Sequence, residues 1–155
     1  MRKSLYFKDE DYRLSFLYGN YVTLTNLSRS HLERIVEQRL SPLYVSVHST
    51  EDDLRKRMLG LRRSDRLLEK IDFLARGGIE LHAQIVLCPE WNDGEHLEKT
   101  LADLAGRFPA IRSVAVVPLG LTGHREELTP LRTVTPAEAA GLVVSEKRWE
   151  KEFRS

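Results

Sequence analysis

Four short β-rich segments, each followed by a segment with apolar residues at helical spacing, constrain this chain more than any other feature. The β-rich segments are residues 21–25 (YVTLT), 43–48 (LYVSVH), 79–88 and 112–119. The stripes that follow include Leu32, Ile35 and Val36, then Leu67, Leu68, Ile71, Leu74 and Ala75, then Leu97, Leu101, Leu104, Ala105 and Phe108. Strands alternating with helices at this scale pair in parallel, because each crossover helix returns the chain to the same end of the sheet.

The helix starts agree with this reading, since first-turn amides need acceptors and the sequence offers them. Ser28 or Ser30 with Glu33, Thr50 with Asp53, Ser64, and Asn92 with Glu95 are candidate caps. Thr135-Pro136-Ala137-Glu138 combines a capping threonine, a first-turn proline and a reciprocating glutamate. Gly77-Gly78 marks a helix end, where a left-handed residue turns the chain back toward the sheet. Residues 1–20 follow neither period and read as an irregular lead-in, residues 21–135 as the βα region, and residues 136–155 as a helix leading out of it. Leu121 to Leu131, rich in Gly, Thr and Pro, reads as a loop.

Alternate strand residues face opposite sides. Tyr44 or Val45, with Val47, is therefore expected to oppose Ser46 and His48, Val22 and Leu24 to oppose Thr23 and Thr25, and Ala83, Ile85 and Leu87 to oppose His82, Gln84 and Val86. A doubly wound sheet is apolar on both faces, whereas one face here collects Thr, Ser, His and Gln. The expected architecture is α/β: a partial, open parallel βα barrel of about four units, with its inner face toward a polar ligand near the C-terminal strand ends. Internal hydrogen bonding explains any single polar residue equally well; three adjacent strands sharing the feature favour a site. A closed barrel takes about 250 residues and this chain has 155, which points to an open sheet or one part of a larger polypeptide.

With 24 basic and 23 acidic residues the formal charge is +1, so bulk electrostatics give no nucleic-acid or anionic-membrane surface. The densest basic stretch, Arg55-Lys56-Arg57 and Arg62-Arg63, is offset by Glu51, Asp52, Asp53 and Asp65 and reads as a solvated helix face. No apolar run is long enough to cross a bilayer and the start lacks the apolar core of a signal peptide, so a cytoplasmic location is expected. The single cysteine, Cys88, excludes an internal disulfide and cannot supply a thiolate set for zinc or iron–sulfur.

Among residues able to carry chemistry, His48 and His82 with Asp93 would suit a barrel metal hydrolase, but no His-x-His or Glu-x-x-His pair supports that reading. His31, His96 and His124 read as surface histidines, Cys88 as a small buried residue, and Asn92-Asp93-Gly94 as a helix cap ahead of a ligand site. No Gly-x-Gly-x-x-Gly or Walker loop occurs.

Residues 16–27 (FLYGNYVTLTNL), 41–48 (SPLYVSVH), 82–89 (HAQIVLCP), Asn92-Asp93-Gly94 and residues 113–122 (SVAVVPLGLT) resemble an uncharacterised bacterial radical S-adenosylmethionine (radical SAM) family. Its members carry a PDZ-like segment before the barrel and a domain of unknown function after it. Glu90-Trp91 departs from the resemblance, which leads one to expect a glycine and an aliphatic residue there. A larger departure is the Cys-x₃-Cys-x₂-Cys loop that holds the family's 4Fe–4S cluster: this chain has none, and Cys88 matches none of its positions.

The resemblance implies half of a cofactor pocket. Thr25 and Asn26 stand where the family fold offers groups to the methionine moiety of S-adenosylmethionine. Ser46, His48 and Gln84 face the ribose and substrate, and the backbone from Val117 through Pro118 to Gly120 faces adenine. No acid, base or radical relay is assigned. The expected function is the barrel segment of an enzyme that reductively cleaves S-adenosylmethionine at a 4Fe–4S cluster, with this segment inactive by itself. The rival expectation is a non-enzymatic truncated barrel that binds a small molecule, the rest of the barrel or a second copy along its open edges.

Overall fold

The computed structural model describes residues 11–121 and 130–153. In chain order it contains α1 (Tyr12–Tyr18), α2 (Arg29–Glu37), β1 (Leu43–Ser46), α3 (Asp52–Leu59), α4 (Leu67–Arg76), β2 (Leu81–Leu87), α5 (Gly94–Ala105), β3 (Ile111–Pro118) and α6 (Pro136–Phe153). The strands form a parallel sheet in the order β1-β2-β3. Crossover helices enforce that pairing, as the strand and helix periods required.

Residues 21–25 do not form the expected fourth strand. Only Val22 reaches the sheet, as a single parallel bridge to Val45. Its amide donates to the Tyr44 carbonyl at 3.0 Å and its carbonyl accepts from the Ser46 amide at 2.8 Å. Two residues later Leu24 takes φ 62°, a left-handed conformation that ends extended backbone. Three strands and one bridge, rather than four full βα units, are present among the described residues.

The part of the lead-in that is described, expected to be irregular, contains α1; residues 1–10 lie outside the described residues. Asp11 caps this helix through the Arg13 amide, and Gly19 at φ 70° ends it. Ser15, fully buried, exchanges two hydrogen bonds with the Tyr44 backbone, donating to its carbonyl at 3.1 Å and accepting from its amide at 2.7 Å. A helix thus satisfies β1 edge groups beside the Val22 bridge.

One face of the sheet carries Leu43, Val45, Leu81, Ala83, Ile85 and Leu87, all buried in one core with the helical residues Leu32, Ile35, Ile71, Leu74, Leu97 and Leu104. Burial of each such Leu or Ile side chain stabilises the fold by about 1.5–3 kcal/mol. The opposite face runs Tyr44, His82, Ser113 in one row and Ser46, Gln84, Ala115 in the next, as the register sets. Most of that face is half-buried or exposed.

One expected cap is present as read, the reciprocal box of Thr135 and Glu138; Ser28 also caps its helix, but its reciprocal partner is His31 rather than the expected Glu33, which pairs with Arg29. Gly78 holds the left-handed turn at φ 77°, while a Cβ at Gly77 would lie 2.4 Å from a Val36 methyl, so α4 approaches α2 through a position only glycine fills. The Thr50 and Asn92 caps are not formed. Glu51 and Asp93 hold those positions without side-chain cap bonds, and Thr50 instead donates to Asp103 at 2.6 Å. Residues 122–129 of the expected loop, with His124, lie outside the described residues.

Candidate functional site

Three successive strand ends leave the sheet through a left-handed residue that is not glycine: Leu24 (φ 62°) after the Val22 bridge, His48 (φ 60°) after β1, and Glu90 (φ 68°) after β2. Such a conformation costs an ordinary L-residue about 1–2 kcal/mol, and it persists where surrounding contacts hold it. Two of the three have their own carbonyl held by a named side chain, and the exposed Glu90 is met through its carboxylate instead. Lys70 Nζ donates to the Leu24 carbonyl at 2.7 Å, Asn92 Nδ2 to the His48 carbonyl at 2.8 Å, and Arg132 Nε to the Glu90 carboxylate at 2.8 Å.

Arg55, on α3, is a buried cation, 1% exposed. Nη2 donates to the Thr23 carbonyl at 2.6 Å, Nη1 to the Ser46 carbonyl at 3.1 Å and to that of Val47, and Nε and Nη2 grip the buried Asp65 carboxylate. One guanidinium therefore ties the end of the Val22 segment to the end of β1. A charge-assisted hydrogen bond contributes about 1.5–3 kcal/mol, so the set outweighs the strain at Leu24. The basic stretch expected to be solvated thus contains a buried ion pair. Arg55 is the buried residue of α3, while Lys56 and Arg57 lie in its last turn on the outer side.

Asn92 is a bracket rather than a cap. Buried, it accepts from the Cys88 amide at 2.7 Å and donates to the carbonyls of His48 and Val86 at 2.8 and 3.0 Å. His48 folds back onto the sheet, its Nδ1 accepting from the Val86 amide at 3.2 Å. Burial, with the Arg55 cation as a second cause, lowers its pKa to about 4, which keeps the ring neutral and able to accept. Burial also lowers the pKa of Lys70, with Asp65 opposing and Arg55 reinforcing the shift.

The sites read from the sequence fall in three places, with Gln84 midway along β2 and the others at or just past strand ends. Thr25 is half-buried with its hydroxyl 2.8 Å from that of Thr23, and Asn26 beside it is exposed. Ser46 and Gln84 are register partners on the polar face, Ser46 buried and Gln84 half-buried. His48 stands above them with its Nδ1 already engaged. Pro118 and Gly120, both exposed, lie at the far end of β3, where the Leu119 amide donates to the Leu87 carbonyl at 3.1 Å. Below Ser46 and Gln84 lies a row that sequence reasoning did not assemble: Tyr21 edge-on to Tyr44, Tyr44 stacked on His82 at 4.9 Å, and His82 Nδ1 2.7 Å from Ser113 Oγ. The alternation placed Tyr44 and His82 on strands, but the register that joins them is a tertiary property.

Glu90-Trp91, where the resemblance leads one to expect glycine and an aliphatic residue, has a physical reading. The left-handed φ at Glu90 is the reason glycine suits the position, and the Trp91 ring carries the Arg57 guanidinium 3.8 Å from its centroid.

Hydroxyl and amide groups of Ser46, Gln84 and Ser113 lie on this face beside the stacked rings of Tyr44 and His82. Among the described residues no group of three His, Cys, Asp or Glu side chains could hold a metal, so His48, His82 and Asp93 do not form a centre. A 4Fe–4S cluster does not fit this chain's own residues either. Cys88 is its single cysteine, 7% exposed, with its sulfur 3.8 Å from the Val86 carbonyl. No helix among the described residues is long and apolar enough to cross a membrane.

Comparison with known proteins adds the family. No curated protein matches the chain. A solved radical SAM methyltransferase from Sphaerobacter thermophilus is similar over 79% of this chain at 20% identity and a TM-score of 0.49, and the chain spans 35% of that protein's length. The sequence profile of the radical SAM-like domain matches residues 1–114. The chain belongs to the radical SAM-like family.

Proposed function

We propose that this chain supplies part of the S-adenosylmethionine pocket of a radical SAM barrel, and that reductive cleavage of the cofactor belongs to a protein that also carries the cluster cysteines. The observation that carries this reading is the polar face on which Ser46, the last residue of β1, and Gln84, midway along β2, are register partners opposite an apolar core, with Thr25 just beyond the Val22 bridge. Ligands of parallel α/β folds bind outside the carboxyl ends of the strands, because the loops there are free to vary while the core holds them in place.

In this assignment Thr25 and Asn26 meet the amino and carboxylate groups of the methionine moiety. Ser46 and Gln84 meet the ribose and substrate, and His48 shapes the wall through its bond to Val86 rather than by direct contact. Pro118 and Gly120 flank the backbone that meets adenine. When bound to a cluster elsewhere in the parent protein, the cofactor would supply radical chemistry; this chain's residues bind and orient it. Residues 21–135 are the barrel part and α6 leads out of it. The rest of the barrel, or a second copy, covers the outer edges of β3 and of the Val22 segment. A reducing cytoplasm suits a parent protein that keeps thiolates on iron.

Anaerobic iron–sulfur reconstitution of the chain tests the division of labour. The expected product has no 4Fe–4S absorption and produces no 5′-deoxyadenosine; a stable cluster spectrum on these 155 residues overturns it.

A further inference from the structure

Two cations converge on consecutive carbonyls of one strained turn. Arg55 Nη2 holds the carbonyl of Thr23 and Lys70 Nζ that of Leu24, at 2.6 and 2.7 Å, and between them Leu24 is left-handed and fully buried. The two cations come from different helices, α3 and α4, and Asp65 in the connection between them pairs with Arg55. Beyond Leu24 the chain makes a tight turn, the Leu27 amide returning to the Leu24 carbonyl at 3.2 Å. The Thr25 amide turns back to the Thr23 hydroxyl at 3.4 Å, and the two threonine hydroxyls meet at 2.8 Å. The Leu24 carbonyl therefore has two donors, a backbone amide and an ammonium, in a place where extended backbone would direct it along the sheet.

We infer that Lys70 and Arg55 are positioning residues: by holding the Leu24 and Thr23 carbonyls they keep Leu24 left-handed and so set where Thr25 and Asn26 stand at the strand end. The inference rests on the proposed cofactor site for its consequence in binding, and on the turn geometry alone for its structural part. Arg55 makes no ligand contact in this scheme, because its Nε, Nη1 and Nη2 atoms already donate to Thr23, Ser46, Val47 and Asp65. Lys70 has a partly buried stem and a nitrogen on the Leu24 carbonyl, so removing its charge removes the turn's second donor without emptying the core. Leucine has no intrinsic preference for this conformation, unlike glycine or asparagine, so its backbone should report the loss directly.

The test uses the whole chain, isotopically labelled, as wild type, Lys70→Met and Lys70→Arg. The first readout is the Leu24 backbone carbon shifts and amide–α-proton coupling, which report φ. The second is S-adenosylmethionine affinity by calorimetry, with urea unfolding as a control. Lys70→Met should lose the left-handed signature of Leu24 and bind at least about tenfold more weakly, as expected for a lost charge-assisted bond, and Lys70→Arg should restore both. An unchanged Leu24 signature in Lys70→Met overturns the positioning role. A lost signature with unchanged affinity overturns its link to binding. If the wild type itself binds no S-adenosylmethionine, the proposed cofactor site fails, while the Leu24 signature still decides whether the cations hold the turn.

Discussion

The Arg55 guanidinium donates to the Thr23 carbonyl at 2.6 Å while its other nitrogens hold Asp65 and two carbonyls at the end of β1. Removing the charge leaves the Asp65 carboxylate buried and unpaired. Arg55→Met should destabilise the chain by about 3–5 kcal/mol in urea denaturation, the usual cost of breaking a buried pair from one side. A loss below about 1 kcal/mol, the range of exposed pairs, would contradict the clamp.

Asn92 satisfies three backbone groups at once, the Cys88 amide and the carbonyls of His48 and Val86. Asn92→Ala should cost at least about 2 kcal/mol, because each buried group left unsatisfied costs about 1–3 kcal/mol. If Asn92 were only a cap, the same substitution would cost about 1 kcal/mol and would leave the β1 to β2 ends unchanged. Amide exchange at Cys88 separates the two outcomes.

His48 links stability to pH. Its folded pKa of about 4 lies below the ordinary histidine value near 6.5, so between these values the unfolded chain takes up a proton that the native chain does not. The contribution of neutral His48 is fully present above about pH 6.5 and is lost as pH falls toward 4, with a size on the order of 3 kcal/mol. His48→Asn, which tolerates the left-handed backbone, should remove that part of the slope. Parallel stability curves for the two proteins from pH 6.5 to 4 would show that His48 does not accept from Val86 as a neutral ring.

Glu90 tests the strand-end strain from the other direction. Glu90→Gly relieves a left-handed non-glycine residue but gives up the ion pair with Arg132, which keeps its second partner Glu138 at 2.7 Å. The pair is solvent-exposed and screened, so the substitution should leave the thermal unfolding midpoint unchanged or raise it. A lowered midpoint would mean that the Arg132 contact, rather than the backbone, dominates the position.

The core and the parallel order were legible because they depend on periodicity: Leu43, Val45, Ile85 and Leu104 alternate or recur as their elements demand, and all are buried. The polar face was legible for the same reason, from Ser46 and Gln84. What local pattern could not give was the conformation at each strand end. Nothing in the run from Tyr21 to Thr25 marks Leu24 as left-handed, because the cause lies in Arg55 and Lys70, reached only when α3 and α4 pack. Arg55 itself was obscured by its basic neighbours, which complement the helix end and stay outward while it turns in. The Asn92 reading failed likewise, since its three partners lie on β1 and β2 ends that converge only in the sheet.

Titration of the isotopically labelled chain with S-adenosylmethionine, followed by amide and side-chain shifts, tests whether the polar strand ends form part of the proposed cofactor site. Saturable shifts confined to Thr25, Asn26, Ser46, Gln84 and the backbone at Leu119 and Gly120 are the predicted result. No shift at millimolar ligand, or saturable shifts centred away from these strand ends, would contradict it.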